Sequence, residues 1–315
     1  MSVAVFRDGL KIGVACRCAG SGSLVRAKPC RAMSLSLRLA HFGLIVFAFL
    51  RRDFVIERRT SMNSTYPILE YDTISESKLE PSRLIKPRDT PAHCVISFFR
   101  EVNEKVVTEK QARVIVANRW EDGEHPLYEI EHRGQRLAFF HPGVGAPIAA
   151  GLLEEAIAFG CRKFVVVGGA GVLVKELTVG KLILVESAVR GEGLSYHYLP
   201  PGREVQTQPE ALMAIRAALE ARRIPFISGK TWTTDAPYRE TQSVIDARRA
   251  EGCLTVEMEA ASLLAVAQFR KVPLGQILYA GDDLSGERWD KRGWQSRKEV
   301  RESLFWLAAD ACQKI

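Results

Sequence analysis

The stretch Leu254-Thr-Val-Glu-Met-Glu-Ala-Ala-Ser-Leu-Leu-Ala-Val-Ala-Gln268 constrains this 315-residue chain more tightly than any other. It begins with an apolar, β-branched segment suited to a strand and continues into an alanine- and leucine-rich segment suited to a buried helix. Two carboxylates, Glu257 and Glu259, fall where the first pattern gives way to the second. If the strand runs through Met258, its two-residue period puts both acids on one face and Met258 on the other. Acids placed there cost solvation free energy unless they are hydrogen-bonded, and the free amides of a helix start supply only part of that. The placement raises the question of what else the pair holds.

Around this stretch, apolar strands alternate with amphipathic helices. Strands are expected over 94–99, 112–116, 127–132 and 135–140, the last three as an antiparallel meander that turns at Gly134. Continuous apolar runs at 163–167 and 181–185 have the character of strands buried on both faces. Further strands are expected over 225–232 and 272–280, and helices over 100–110, 147–159, 209–222, 240–250 and 298–313. Pro147 suits the first turn of its helix, and Gly160 suits the cap at its end. The pattern predicts one α/β domain with helices packed against a central sheet, without repeats or low-complexity linkers.

Residues 1–61 differ from this domain. Of 44 Lys/Arg and 37 Asp/Glu they hold 11 and 3, a surplus of eight positive charges that leaves residues 62–315 at −1. A basic nucleic-acid-binding face on the main domain therefore loses its support. The apolar run at 39–50 is 12 residues long, short of the ~20 that span a bilayer. It lies too far from the N-terminus for a signal peptide, and no small-residue cleavage site follows. The segment reads either as a disordered organellar leader or as residues preceding a true start at Met62. The fold is accordingly assigned to residues 62–315. The cysteines at 16, 18, 30, 94, 161, 253 and 312 form no C-x-x-C pair and no cluster with histidines at metal spacing. Buried free thiols, a reducing cytoplasmic setting and no bound metal are the expectations.

Two glycine turns follow strands, one at Gly143-Val-Gly145 and one at Gly168-Gly-Ala-Gly171. Either turn is able to hold an anion on backbone amides, although such turns also serve tight packing alone. The third glycine of a dinucleotide fingerprint is missing, and no G-x-x-x-x-G-K-[ST] loop occurs. No organic cofactor is expected.

The collinear order of Gly143-Val-Gly-Ala-Pro147, Gly168-Gly-Ala-Gly171, Val256-Glu-Met-Glu-Ala-Ala261 and Ala280-Gly-Asp-Asp283 resembles the purine and uridine nucleoside phosphorylase superfamily, which includes nucleosidases. The resemblance covers roughly residues 95–315. It implies a three-layer αβα sandwich around a mixed sheet, cleavage of an N-glycosidic bond, a small nucleoside as partner and a homo-oligomer. It also implies that Glu257, Met258 and Glu259 hold the ribose, with Glu259 catalytic through the hydroxyls. His197 would reach the ribose 5′ side. Asp283 takes the place of the acid that protonates a departing purine, and Asp235, Tyr238 and Arg239 lie on the base side. Carboxylates suit this chemistry because positive charge develops on the sugar as the bond breaks.

The resemblance fails at the phosphate end. The glycine-aspartate-proline loop of the phosphorylases is absent between residues 66 and 99, Val166 stands at the arginine position, and Gly169 at the hydroxyl position. Gly143, Gly145, Gly168 and Gly169 retain backbone amides for an anion, and Arg190 is the candidate substitute guanidinium. Phosphorolysis of a purine nucleoside, with inorganic phosphate as co-substrate, is the leading expectation. Hydrolysis with water in its place and a non-catalytic nucleoside sensor are the alternatives.

Overall fold

The computed structural model describes residues 2–8, 11–17, 64 and 66–315. Two compact units divide the chain, residues 1–58 and 59–315. In the first, strands β1 (Ser2–Asp8) and β2 (Lys11–Arg17) pair antiparallel, Asp8 opposite Lys11. The rest of the predicted leader, including the apolar run at 39–50, lies outside the described residues. Among the described residues no helix is long and apolar enough to cross a membrane.

The second unit is the α/β domain, and its strands follow the hydrophobic runs closely. They are β3 (His93–Ser97), β4 (Arg113–Trp120), β5 (Gly123–His132), β6 (Gln135–Phe140), β7 (Lys163–Val172), β8 (Leu182–Gly191), β9 (Glu204–Gln206), β10 (Phe226–Thr234), β11 (Cys253–Glu257) and β12 (Leu274–Asp283). The helices are α1 (Pro81–Leu84), α2 (Arg100–Glu109), α3 (Ala146–Phe159), α4 (Ser195–Tyr198), α5 (Pro209–Ala221), α6 (Gln242–Ala250), α7 (Ala260–Arg270) and α8 (Lys298–Cys312).

One mixed sheet runs β11-β10-β8-β12-β7-β3-β6-β5-β4, with β9 added to β8. The predicted meander is present as β4–β5–β6, antiparallel throughout. β11 also pairs antiparallel with β7 through Thr255–Val172 and Val256–Gly171. The strands β7, β12, β8, β10 and β11 therefore close into a ring, leaving the meander as an open extension.

That closure overturns one expectation. Gly168-Gly-Ala-Gly171 is the second half of β7, not a turn. The missing side chains are what let the strand pass through the crowded centre. A Cβ on Gly169 would meet the Tyr279 ring at 3.0 Å, and one on Gly171 would meet Leu284 at 2.6 Å and Val256 at 3.1 Å. The ladder to β3 ends at Val167, so beyond it the strand offers an anion at most alternate amides, not the converging amides of a turn.

The core lies on both faces of the sheet. On one side α3 and α7 bury Leu152, Leu153, Leu263 and Leu264 against Phe164 and Val166. On the other, α5 and α8 bury Ile215, Leu219, Leu304 and Phe305 against Val165, Val167 and Ile277. This is the expected three-layer arrangement. Cys94, Cys161, Cys253 and Cys312 are free and buried within it.

Candidate active site

Strand β11 stops at Glu257, one residue earlier than the two-residue period suggested, because the chain turns at Met258 to begin α7. Glu257 is 8% exposed and Glu259 6%. Glu257 caps the helix: its Oε2 accepts the amides of Glu259 at 2.8 Å and Ala260 at 2.7 Å. Its Oε1 accepts the Thr233 hydroxyl at 2.6 Å. Thr233 lies opposite Glu257 in the parallel β10–β11 pair, and its hydroxyl in turn accepts the Ala261 amide at 2.9 Å. The carboxylate thus satisfies two of the amides at the helix start, and the Thr233 hydroxyl a third.

Glu259 is held differently. Its Oε1 accepts the Gly145 amide at 2.6 Å, which ties α7 to the glycine turn before α3. That turn needs glycine twice. Gly143 has φ +75° and Gly145 φ +102°, and a Cβ on Gly143 would stand 2.7 Å from Ile148. Burial pushes the pKa of Glu259 above the ordinary carboxylate value, and the charge of Glu257 adds to the push. Burial raises Glu257 as well, against the lowering effect of its hydrogen bonds to Thr233, Glu259 and Ala260. The two acids therefore compete for ionisation.

The remaining predicted residues separate into those near this pair and those committed elsewhere. Asp283 is committed. Its carboxylate forms an ion pair with Arg292, and its Oδ1 accepts the Ser285 amide at 2.7 Å. Alternation along β12 turns the adjacent Asp282 the other way. There its Oδ2 accepts Trp289 Nε1 at 2.6 Å, and its charge acts on Glu240. Burial first, and that charge second, raise the pKa of Glu240 to about 7. Asp282 in β12 thus acts on Glu240, while Asp283 is taken by Arg292. Asp235 and Tyr238 are exposed, Tyr238 by 99%; Asp235 Oδ2 accepts the Gly193 amide at 2.9 Å.

Arg190, 6% exposed, is spent on the fold. Nε donates to Ser195 Oγ at 2.8 Å, Nη1 to the Pro200 carbonyl at 2.7 Å and Nη2 to the Leu199 carbonyl at 3.2 Å, while the guanidinium lies over the Tyr196 ring. Gly143 donates its amide to His141 Nδ1 at 3.1 Å. Burial, helped by the charge of Arg100, lowers the His141 pKa to about 4, so the ring is neutral. His197 lines a separate cavity beside Arg270, at the far end of α7 from Glu259.

Sequence reasoning missed Glu240 and Arg100, and gave Thr233 no role beyond opening the segment that carries Asp235 and Tyr238. A polar residue ending an apolar strand was the available signal for Thr233. Arg100 opens α2 as an exposed cation beside His141, and only the fold brings the two together.

Comparison with known proteins gives this architecture a family. The model of the phosphorylase superfamily matches residues 99–309, and the chain belongs to that superfamily. A guanosine phosphorylase of Halorubrum lacusprofundi is 25% identical over 187 residues, covering 58% of this chain and 78% of the relative. A uridine phosphorylase of Thermococcus kodakarensis is 26% identical over 180 residues, covering 53% and 64%. The crystal structure of an AMP nucleosidase from Bacteroides thetaiotaomicron shares the fold at TM-score 0.59 and 22% identity, over 71% of this chain and 88% of that one.

Proposed function

We propose that the chain cleaves the N-glycosidic bond of a nucleoside, preferring a purine, with Glu259 accepting hydrogen bonds from the ribose hydroxyls. The observation that carries this reading is the division of labour between the acids. Glu257 is saturated by Thr233 and two amides, whereas Glu259 holds the Gly145 amide and a backbone hydrogen bond at Met258. A carboxylate has about four acceptor sites, so Glu259 keeps capacity for hydroxyls at a fixed position, as a group that must stabilise a developing oxocarbenium ion needs to. Met258, between them, packs against the sugar.

Protonation of the leaving base falls to the Glu240–Asp282 pair. A general acid works best with a pKa near the working pH, and Glu240 at about 7 meets that condition. Activity is expected to fall as the pH rises above about 7, because the required form of Glu240 is the protonated one. Glu240→Gln is expected to remove that limb and lower kcat by about 10²-fold or more. An unchanged pH profile in the variant excludes Glu240.

Water is the proposed acceptor. Arg190 and the amides of Gly143 and Gly145 are engaged by other groups, and Gly168 and Gly169 lie inside β7. Few donors then remain for a phosphate beside several buried acids. Arg100 favours the second reading, phosphorolysis, since its exposed guanidinium stands near His141 and the glycine turn. Incubation with inosine, guanosine, adenosine and uridine, with and without phosphate, separates the readings. Free ribose at a rate indifferent to phosphate is expected. Strict dependence on phosphate, with ribose 1-phosphate as product, overturns the choice of water; binding without turnover overturns catalysis.

A further inference from the structure

Of the five tryptophans in the chain, Trp289 is the exposed one, at 62%. A large ring left in water forgoes the burial that usually recommends an aromatic residue, yet this one is not loose. Asp283 and Asp290 exchange backbone hydrogen bonds at 2.8 and 3.0 Å and so close the loop that carries it. Arg292 fastens the same loop, donating its amide to Asp290 Oδ1 at 2.9 Å and pairing with Asp283. The indole itself is aimed by one hydrogen bond, from Nε1 to Asp282 Oδ2 at 2.6 Å. Among the described residues no aromatic ring and no cation lies on its faces.

The crowding around Gly171 fixes where this loop stands relative to the buried acids. A Cβ on Gly171 would meet Leu284 at 2.6 Å, Val256 at 3.1 Å and Asp282 Oδ2 at 3.7 Å. The oxygen that holds the indole therefore borders the same point as Val256, which lies two residues before Met258 at the strand–helix switch. The charge of Asp282 also acts on Glu240, which follows the exposed Tyr238 by two residues. A base whose sugar rests on Met258 and Glu259, and whose leaving nitrogen meets Glu240, arrives beside the bare indole. Every base has a π-face, and base–aromatic stacking needs no hydrogen-bond partner.

We propose that Trp289 is a specificity-determining residue of the site, its indole forming the wall on which the leaving base stacks. A two-ring base covers more of that face than a one-ring base does, so the wall favours a purine. The closed loop and the bond to Asp282 hold the ring in place before the base arrives, which keeps the ordering cost of stacking low. The inference rests on the glycosidic reading of the site for its place beside Glu240, and it adds the residue that selects the base.

Titration of the full chain with the free bases hypoxanthine and uracil, followed by calorimetry and by tryptophan emission, tests it. Hypoxanthine is expected to bind more tightly than uracil and to quench the emission. Trp289→Ala should weaken hypoxanthine by about tenfold or more and uracil less, so that the preference between them shrinks. Trp289→Phe keeps a stacking face and should hold hypoxanthine within about threefold by calorimetry while losing the quench. Both variants alter an exposed side chain and should keep the Tm of the unaltered chain. Equal hypoxanthine affinity in Trp289→Ala, or no binding of either base by the unaltered chain, overturns the proposal. So does a loss in Trp289→Phe as large as in Trp289→Ala, which assigns the effect to the N–H donor instead. Failure of the glycosidic reading looks different. A chain that binds hypoxanthine through Trp289 but releases no ribose from inosine keeps the wall and loses the reaction. Ribose release with an undiminished purine preference in Trp289→Ala keeps the reaction and removes the wall.

Discussion

Glu257 and Glu259 are two residues apart and do different work, and mutation should separate them. Glu257→Ala removes a helix cap and leaves the Thr233 hydroxyl and two buried amides without an acceptor, so a loss of about 1–3 kcal/mol in urea unfolding is expected. Glu259→Gln keeps an oxygen for the Gly145 amide and removes the group's capacity to ionise. It should abolish measurable turnover while leaving the fold intact; unchanged turnover removes Glu259 from the mechanism. A sign follows for pH as well. Because the folded pKa of Glu259 is raised, its contribution to stability is fully present below the unfolded value of about 4.3 and is lost as pH climbs through the folded value. Thermal melts across pH 4–9 should fall less steeply for Glu259→Gln than for the unaltered chain. The acids themselves were legible from their place at the strand–helix switch. Which of the two adjacent aspartates is taken by Arg292 and which acts on Glu240 was not, since the partners come from residues distant in the fold.

Helix α3 begins where it does because the turn before it accepts two residues with positive φ and delivers an amide to Glu259. Gly143→Ala is therefore expected to cost about 1–3 kcal/mol through backbone strain and the clash with Ile148, and to reduce activity by displacing Gly145. Wild-type stability and turnover in that variant would falsify the link between turn and site. Element boundaries were mostly legible, since α3, α5 and α8 start within one residue of the expected positions. The glycine run in β7 was not. Glycine signals a turn when only neighbours in sequence are considered, but at Gly169 and Gly171 it makes room for Tyr279, Leu284 and Val256, which arrive from distant strands.

The buried apolar clusters among the described residues draw on residues 94–312, so the domain carries its own core. A chain begun at Met62 is expected to melt cooperatively at the Tm of the full chain; a fall of more than about 5 °C, equivalent to roughly 1 kcal/mol or more, shows that residues 1–61 contribute. The alternation of apolar runs with amphipathic helices determined the class of fold, because burial on one or both faces of an element is written in its period. The same local patterns determined that two acids stand at a strand–helix junction. Only the tertiary structure decided that Arg190 is spent on Ser195 and two carbonyls, that His197 faces another cavity, and that Glu240 meets Asp282. A side chain's chemistry depends on which partners reach it, and those partners come from elements that the sequence keeps far apart.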